Sequence, residues 1–253
     1  MNIPFLPLAN LSTFSSAYAQ SDFFGKIIMI GLIALSLICW VVLIHKVKQT
    51  RQVIQISNAF HKAFSLNKER LLHLDLKELP KAKNGQVLHP YARIFQELKT
   101  KTVEILNKNH YFTAQAGQSE TGQIYLSPAD LEIVETHVLT TISAETKALE
   151  KNLYMLSTIA TLAPFLGLLG TVWGILITFS ELQTGGSVSS NAAMLGGLST
   201  ALATTVLGLV IAIPAIVAYN YLKSSITHYA SDMEDFLYQL LSSVELQYRK
   251  TEL

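Results

Sequence analysis

Three long apolar runs decide what this chain can fold into. The first, Ile27 to Ile44, carries no charge, and its length of about 18 residues is just enough to cross a bilayer. The second lies between Lys151 and Glu181. The third lies between Glu181 and Lys223 and is densest from Ala192 to Leu222. Each of these two exceeds the roughly 20 residues a crossing needs, so tilt or extension beyond the membrane is expected. With half of its residues hydrophobic and only 15% charged, the chain is more apolar than a typical soluble protein.

Basic residues set the expected orientation. Lys46, Lys48 and Arg51 follow the first run, Lys147 and Lys151 precede the second, and Lys223 follows the third. The N-terminal tail offers Lys26 alone, and the connection from Gln183 to Asn191 carries no charge. The consistent solution places the N-terminus outside and the C-terminus in the cytoplasm. Ala17-Tyr18-Ala19 resembles a small-x-small cleavage site, but residues 1–16 lack a basic n-region and are broken by Pro4 and Pro7. The segment reads instead as weakly amphipathic and external.

The expected organisation is an all-α membrane protein with three transmembrane helices. It has an external segment (1–24), a transmembrane helix (25–45), a helical cytoplasmic region (46–150), a second transmembrane helix (151–181), a short external loop (182–191), a third transmembrane helix (192–222) and a cytoplasmic C-terminal helix (223–253). Spans two and three are expected to be long helices that extend into the helical cytoplasmic domain. Within 46–150, Lys46 to Asn67 continues the first helix, Leu71 to Leu79 forms a short helix ending at Pro80, and Lys81 to Gln86 is a loop. Tyr91 to Asn107 is a helix through Ile94, Leu98, Val103 and Leu106, and His110 to Gln123 is a loop. Ser127-Pro128-Ala129-Asp130 is a helix start, with Ser as cap and an acid three residues on. Leu131, Val134, Val138, Ile142 and Leu149 keep helical spacing from there, and no breaker intervenes before Pro164. One unbroken helix into span two is expected.

The chemistry is sparse. Cys39 is the one cysteine, so no internal disulfide forms, and the seven histidines lack the pairing of metal sites. No glycine loop precedes a lysine as in phosphate-binding loops, and the near-zero net charge gives no electrostatic case for nucleic acid. No enzyme, cofactor or metal site is expected.

The second and third spans carry a pattern instead. Gly167, Thr171, Gly174 and Thr178 fall on one helix face, with Gly170 beside them. Ala201, Thr205, Gly208 and Ala212 repeat the steps, and Gly196, Thr200, Thr204, Gly208 and Ala212 form a second row. Small faces let membrane helices approach closely, so helix packing alone accounts for the spacing. The functional reading is a hydroxyl-lined path through an oligomer, because a hydroxyl both donates and accepts. A hydroxyl releases no proton at physiological pH, so a proton path needs a carboxylate from a partner helix. Pro164 and Pro214 each remove a helical hydrogen bond and mark kinks. Trp173 is a packing anchor, and Tyr219, Asn220 and Tyr221 form an interfacial belt.

PFLGLLGTVWGI in span two and ALATTVLGLVIAIPAIVAYN in span three closely resemble the TolQ/ExbB family and, more distantly, the flagellar stator MotA group. The resemblance is strong over about residues 150–223. It implies a non-enzymatic, channel-forming subunit in a Gram-negative inner membrane, assembled as a homo-oligomer, typically a pentamer. That oligomer surrounds a TolR/ExbD-like single-span partner whose membrane aspartate carries protons, and a TolA/TonB-like protein passes motion to the envelope. Carried over by residue, the channel threonines fall on Thr171 and Thr205, and Pro164, Pro214 and Asn220 fall on family positions. Thr200, which stands where many members have a glutamate, and Thr204 are further candidates for the pore lining. The long span-two match leans toward TolQ. The alternatives are a non-conducting membrane scaffold and a solute-transporter subunit, though the latter usually needs more spans and internal repeats.

Overall fold

A computed structural model of the chain describes residues 15, 17–19, 21–65, 89–115, 125–183 and 190–248. The described residues fold as helices without a strand: α1 (Phe23–Ser65), α2 (Pro90–Gln115), α3 (Pro128–Glu150), α4 (Tyr154–Gln183) and α5 (Ser190–Tyr248). Three helical stretches are long and apolar enough to cross a membrane, within Phe23–Ser57, Pro128–Ser180 and Met194–Tyr248. The short helix expected over Leu71 to Leu79 and the loop expected over Lys81 to Gln86 lie outside the described residues, as does most of the external loop.

The chain divides into two compact units. One comprises residues 1–46 and 152–222, the other 47–151 and 223–253. The division passes through the interior of α1 and of α5, both unbroken, and through a turn between α3 and α4. That turn differs from the single helix expected from the sequence. Lys151 caps α3 through its N–H to the Lys147 carbonyl at 3.0 Å, and Asn152 takes the left-handed conformation with φ 66°. Asparagine tolerates that region better than any other residue with a Cβ, and basic residues at the end of a helix complement its dipole. A lone asparagine after Lys147 and Lys151 therefore ends α3 without glycine or proline.

The start of α3 follows its local sequence. The Ser127 hydroxyl accepts from the Asp130 N–H at 3.1 Å, and the Asp130 carboxylate accepts from the Ser127 N–H at 3.0 Å, a reciprocal cap. Asn109 also donates to Asp130, at 3.0 Å. This holds because α2 continues to Gln115 rather than ending near Asn107: no breaker occurs before Gly117, and Tyr111 and Phe112 pack edge to face at 5.8 Å.

In the unit of 47–151 and 223–253, α2 contributes Ile94, Phe95 and Leu98, α3 contributes Val134, Val138 and Ile142, and α5 contributes Met233, Phe236, Leu237 and Leu240, all buried. These fall at three- and four-residue steps, the apolar stripe of a packed helix. Phe60 of α1 meets Phe236 at 6.1 Å and His89 at 4.6 Å. Ser57 and Tyr229 share a buried hydrogen bond. The Arg93–Glu145 ion pair and a 3.3 Å contact between His137 Nε2 and Glu97 Oε2 tie α2 to α3.

Candidate functional site

The other unit places α4 against α5 with almost no side-chain volume between them. A β-carbon on Gly167 would lie 2.9 Å from the Thr204 carbonyl oxygen and 3.0 Å from the Thr205 Cα. One on Gly208 would lie 2.6 Å from the Ala163 carbonyl oxygen. The backbones touch, so only glycine fits at either position. The contact continues toward the C-terminal end of α4: Gly170 receives the Thr204 side chain, and Gly174 receives Ala201. Ala163, Ala201, Ala212 and Ala215 complete the buried small face. Pro164 and Pro214 sit inside continuous helices.

This approach brings the threonines of the two rows to one level, where their environments differ. The Thr205 hydroxyl lies 2.9 Å from the Gly167 carbonyl oxygen and 3.4 Å from the Thr171 hydroxyl oxygen. Thr171 donates to the Leu168 carbonyl at 2.7 Å. A hydroxyl carries one proton and two lone pairs. With Thr205 donating to Gly167 and Thr171 donating to Leu168, both hydroxyl oxygens keep acceptor capacity, and both residues are partly exposed at the side of the helix pair.

Thr204 and Thr200 are enclosed within the chain. Thr204 is 1% exposed, and its hydroxyl lies 2.7 Å from the Ala201 carbonyl oxygen and 3.2 Å from that of Gly167. Thr200 is buried, with its hydroxyl 2.9 Å from the Gly196 carbonyl oxygen and 3.2 Å from that of Ala17. Thr178 is buried and donates to the Gly174 carbonyl at 2.8 Å. Adjacent threonines at 204 and 205 therefore face different surroundings, because one residue step turns a helix by about 100°.

The structure adds a residue the sequence reading passed over. Asp22 caps α1, accepting from the Gly25 N–H at 2.9 Å, and its second oxygen accepts from the Trp173 indole N–H at 2.8 Å. Phe24 packs on the Trp173 ring with centroids 4.5 Å apart. The signal was present: an acid immediately ahead of a helical apolar run is a cap. Trp173 lies two positions past Thr171, which turns it to the far side of α4. Asp22 is thus not in the row of Thr171. No Asp or Glu occurs between Tyr154 and Ser180 or between Ala192 and Leu222.

Residues 104–235 match the model of the MotA/TolQ/ExbB proton channel family. The chain is 44% identical over 88 residues to the biopolymer transport protein ExbB of Aquifex aeolicus, covering 35% of this chain and 59% of that protein. It is 28% identical over 229 residues to ExbB of Salmonella typhimurium, covering 88% and 83%. A putative ExbB-like protein of Helicobacter pylori is 48% identical over 75 residues, covering 30% and 49%. The chain spans about half the length of several curated relatives it matches, including ExbB of Xanthomonas campestris at 51%. The matched region contains all of α4 and the glycine-backed threonine pair, and on that match the chain belongs to the MotA/TolQ/ExbB proton channel family.

Proposed function

We propose that this chain is the channel-forming subunit of a proton-motive-force-driven motor complex of the bacterial inner membrane. Thr171 and Thr205 are the residues that face the proton path. One observation carries the reading: the hydroxyls meet at 3.4 Å on a partly exposed edge of two acid-free spans. Gly167 and Gly208, one turn along the same two helix faces, bring the backbones into contact beside the pair. Each oxygen retains lone pairs to receive a proton or a water. The group that releases protons is a carboxylate on a partner helix, a single-span protein of the ExbD/TolR kind.

Several copies of the chain surround that partner, five in this reading, with the N-terminus periplasmic and the C-terminus cytoplasmic. A TonB- or TolA-like protein receives the motion. Relatives named biopolymer transport proteins support a TonB-type role, in which the energy drives outer-membrane transport. The chain itself does no covalent chemistry in this scheme.

The test is proton flux in proteoliposomes holding the chain and its single-span partner. Thr171→Val and Thr205→Val keep the side-chain volume and remove the hydroxyl. Each is expected to abolish flux while oligomer assembly persists. Full flux in both variants sinks the assignment, and tolerance of alanine at both sites with no flux in the unaltered complex favours a scaffold.

A further inference from the structure

The hydrogen bonds at residues 17–22 form a pattern that the channel reading does not use. The Ala17 carbonyl accepts from the Ser21 N–H at 3.1 Å and from the Ser21 hydroxyl at 3.0 Å. The Thr200 hydroxyl of α5 approaches the same carbonyl at 3.2 Å. Ala17, Ser21 and Thr200 are all buried. Five residues on, Asp22 reaches α4 through the Trp173 indole at 2.8 Å. One short stretch of chain thus meets α5 through the Ala17 carbonyl and α4 through the Asp22 carboxylate.

We propose that Ala17, Ser21 and Asp22 form a strap that sets the rotation of α4 against α5, with Asp22 and Trp173 as positioning residues for the Thr171–Thr205 pair. The inference rests on the channel reading for what is positioned. A bond at Trp173 fixes the azimuth of α4 two residues from Thr171, on the opposite side of the helix. The 3.4 Å separation of the two hydroxyls is sensitive to that azimuth, because a helix surface lies about 5 Å from its axis and a rotation of roughly 15° moves it by more than 1 Å. The bond to Asp22 is charge-assisted, and the Phe24 ring packs against the indole. On the other helix, Thr200 occupies the position where the resemblance places a glutamate in many members. Here its hydroxyl anchors the strap.

Two substitutions isolate the bond from the cap. In Asp22→Asn one carbonyl oxygen remains for the Gly25 N–H, and asparagine caps helices about as well as aspartate. The amide nitrogen that replaces the other oxygen cannot accept from the indole. Trp173→Phe keeps a ring against Phe24 and removes the N–H.

The full-length chain would be reconstituted with its single-span partner. The chain has two tryptophans, so Trp40→Phe leaves Trp173 as the sole indole reporter. Asp22→Asn in that background is expected to shift the Trp173 emission maximum. Both single variants are expected to lower partner-dependent proton flux roughly five-fold, the scale of one lost hydrogen bond. The double variant should be no worse than either single one, as the two groups form one interaction.

An unchanged emission maximum overturns the strap whatever the flux. A shifted maximum with full flux overturns the positioning role, and so do additive losses in the double variant. If the unaltered complex conducts no protons, the channel reading fails and the positioning role with it, while the emission shift still establishes the bond.

Discussion

Thr204 and Thr205 are neighbours in sequence and are expected to behave oppositely. Thr204 is enclosed against Gly170, and its hydroxyl is satisfied by the chain's own carbonyls. Thr204→Val should cost about 1 kcal/mol of stability, the usual net worth of one hydrogen bond, and leave flux near the unaltered level. Thr205→Val should abolish flux at similar stability. Thermal denaturation in detergent beside proteoliposome flux separates the two. His89 offers a second residue-scale prediction. It is 6% exposed, neither ring nitrogen has a partner among the described residues, and burial lowers its pKa to about 4. The folded pKa lies below the unfolded value near 6.5, so the unfolded state binds the proton more readily. The contribution of neutral His89 is therefore fully present above about pH 6.5 and is lost as pH falls toward 4. His89→Phe, which retains a ring beside Phe60, should flatten the fall of melting temperature between pH 7 and pH 5. An equal fall in both proteins would show that other groups govern acid sensitivity.

At the scale of helices, α4 and α5 pair through what their sequences omit. Gly208→Leu would drive a side chain into the Ala163 carbonyl, which a β-carbon alone would approach to 2.6 Å. Overpacking of this kind costs about 1–3 kcal/mol where the structure can yield, and here the obstacle is backbone. The expected result is a lower melting temperature together with loss of cross-linking between cysteines placed at 171 and 205 in a Cys39→Ser background. Retention of that cross-link at full yield would show that the close approach is dispensable. The turn at Asn152 is a separate element-level feature. Asn152→Gly should be tolerated, because glycine enters the left-handed region freely, while Asn152→Val should destabilise by about 1–2 kcal/mol. Equal melting temperatures for the two variants would argue that the chain straightens there without cost.

Across the whole molecule, each compact unit is assembled from segments far apart in sequence. The unit of 1–46 and 152–222 draws on residues of α1 as well as α4 and α5. The unit with the aromatic cluster needs Phe60, α2, α3 and the end of α5. A fragment that begins at residue 152 carries the whole family-matched span pair but lacks partners for Phe236, Leu237 and Leu240. Such a fragment should insert in membranes yet be degraded by protease in its last 30 or so residues, with co-expression of 1–151 restoring protection; the length follows from the unit boundary at Lys223. Protection of the fragment alone would show that the last part of α5 folds without the rest.

Much of this was legible from residue order. Long uncharged runs must be helical in hydrocarbon, where no water satisfies the backbone, so the three crossings and their all-α class follow from length and charge alone. Glycine and threonine spacing likewise grouped Gly167, Thr171 and Gly174 on one face of α4, and Ala201, Thr205 and Gly208 on one face of α5. Periodicity reports which residues share a face, but not which of them stays accessible once another helix covers it. Only the packed pair separated the enclosed Thr204 from the partly exposed Thr205, since that difference depends on the partner helix and its rotation. The turn at Asn152 depended on a single left-handed residue that apolar periodicity does not register. The bond from Asp22 to Trp173 joins positions 151 residues apart, and no local pattern encodes a contact of that range. The sequence by itself determined the helices and the faces they present, because those follow from neighbours along the chain. Tertiary structure alone decided which hydroxyls meet and which are enclosed, because those depend on distances between helices.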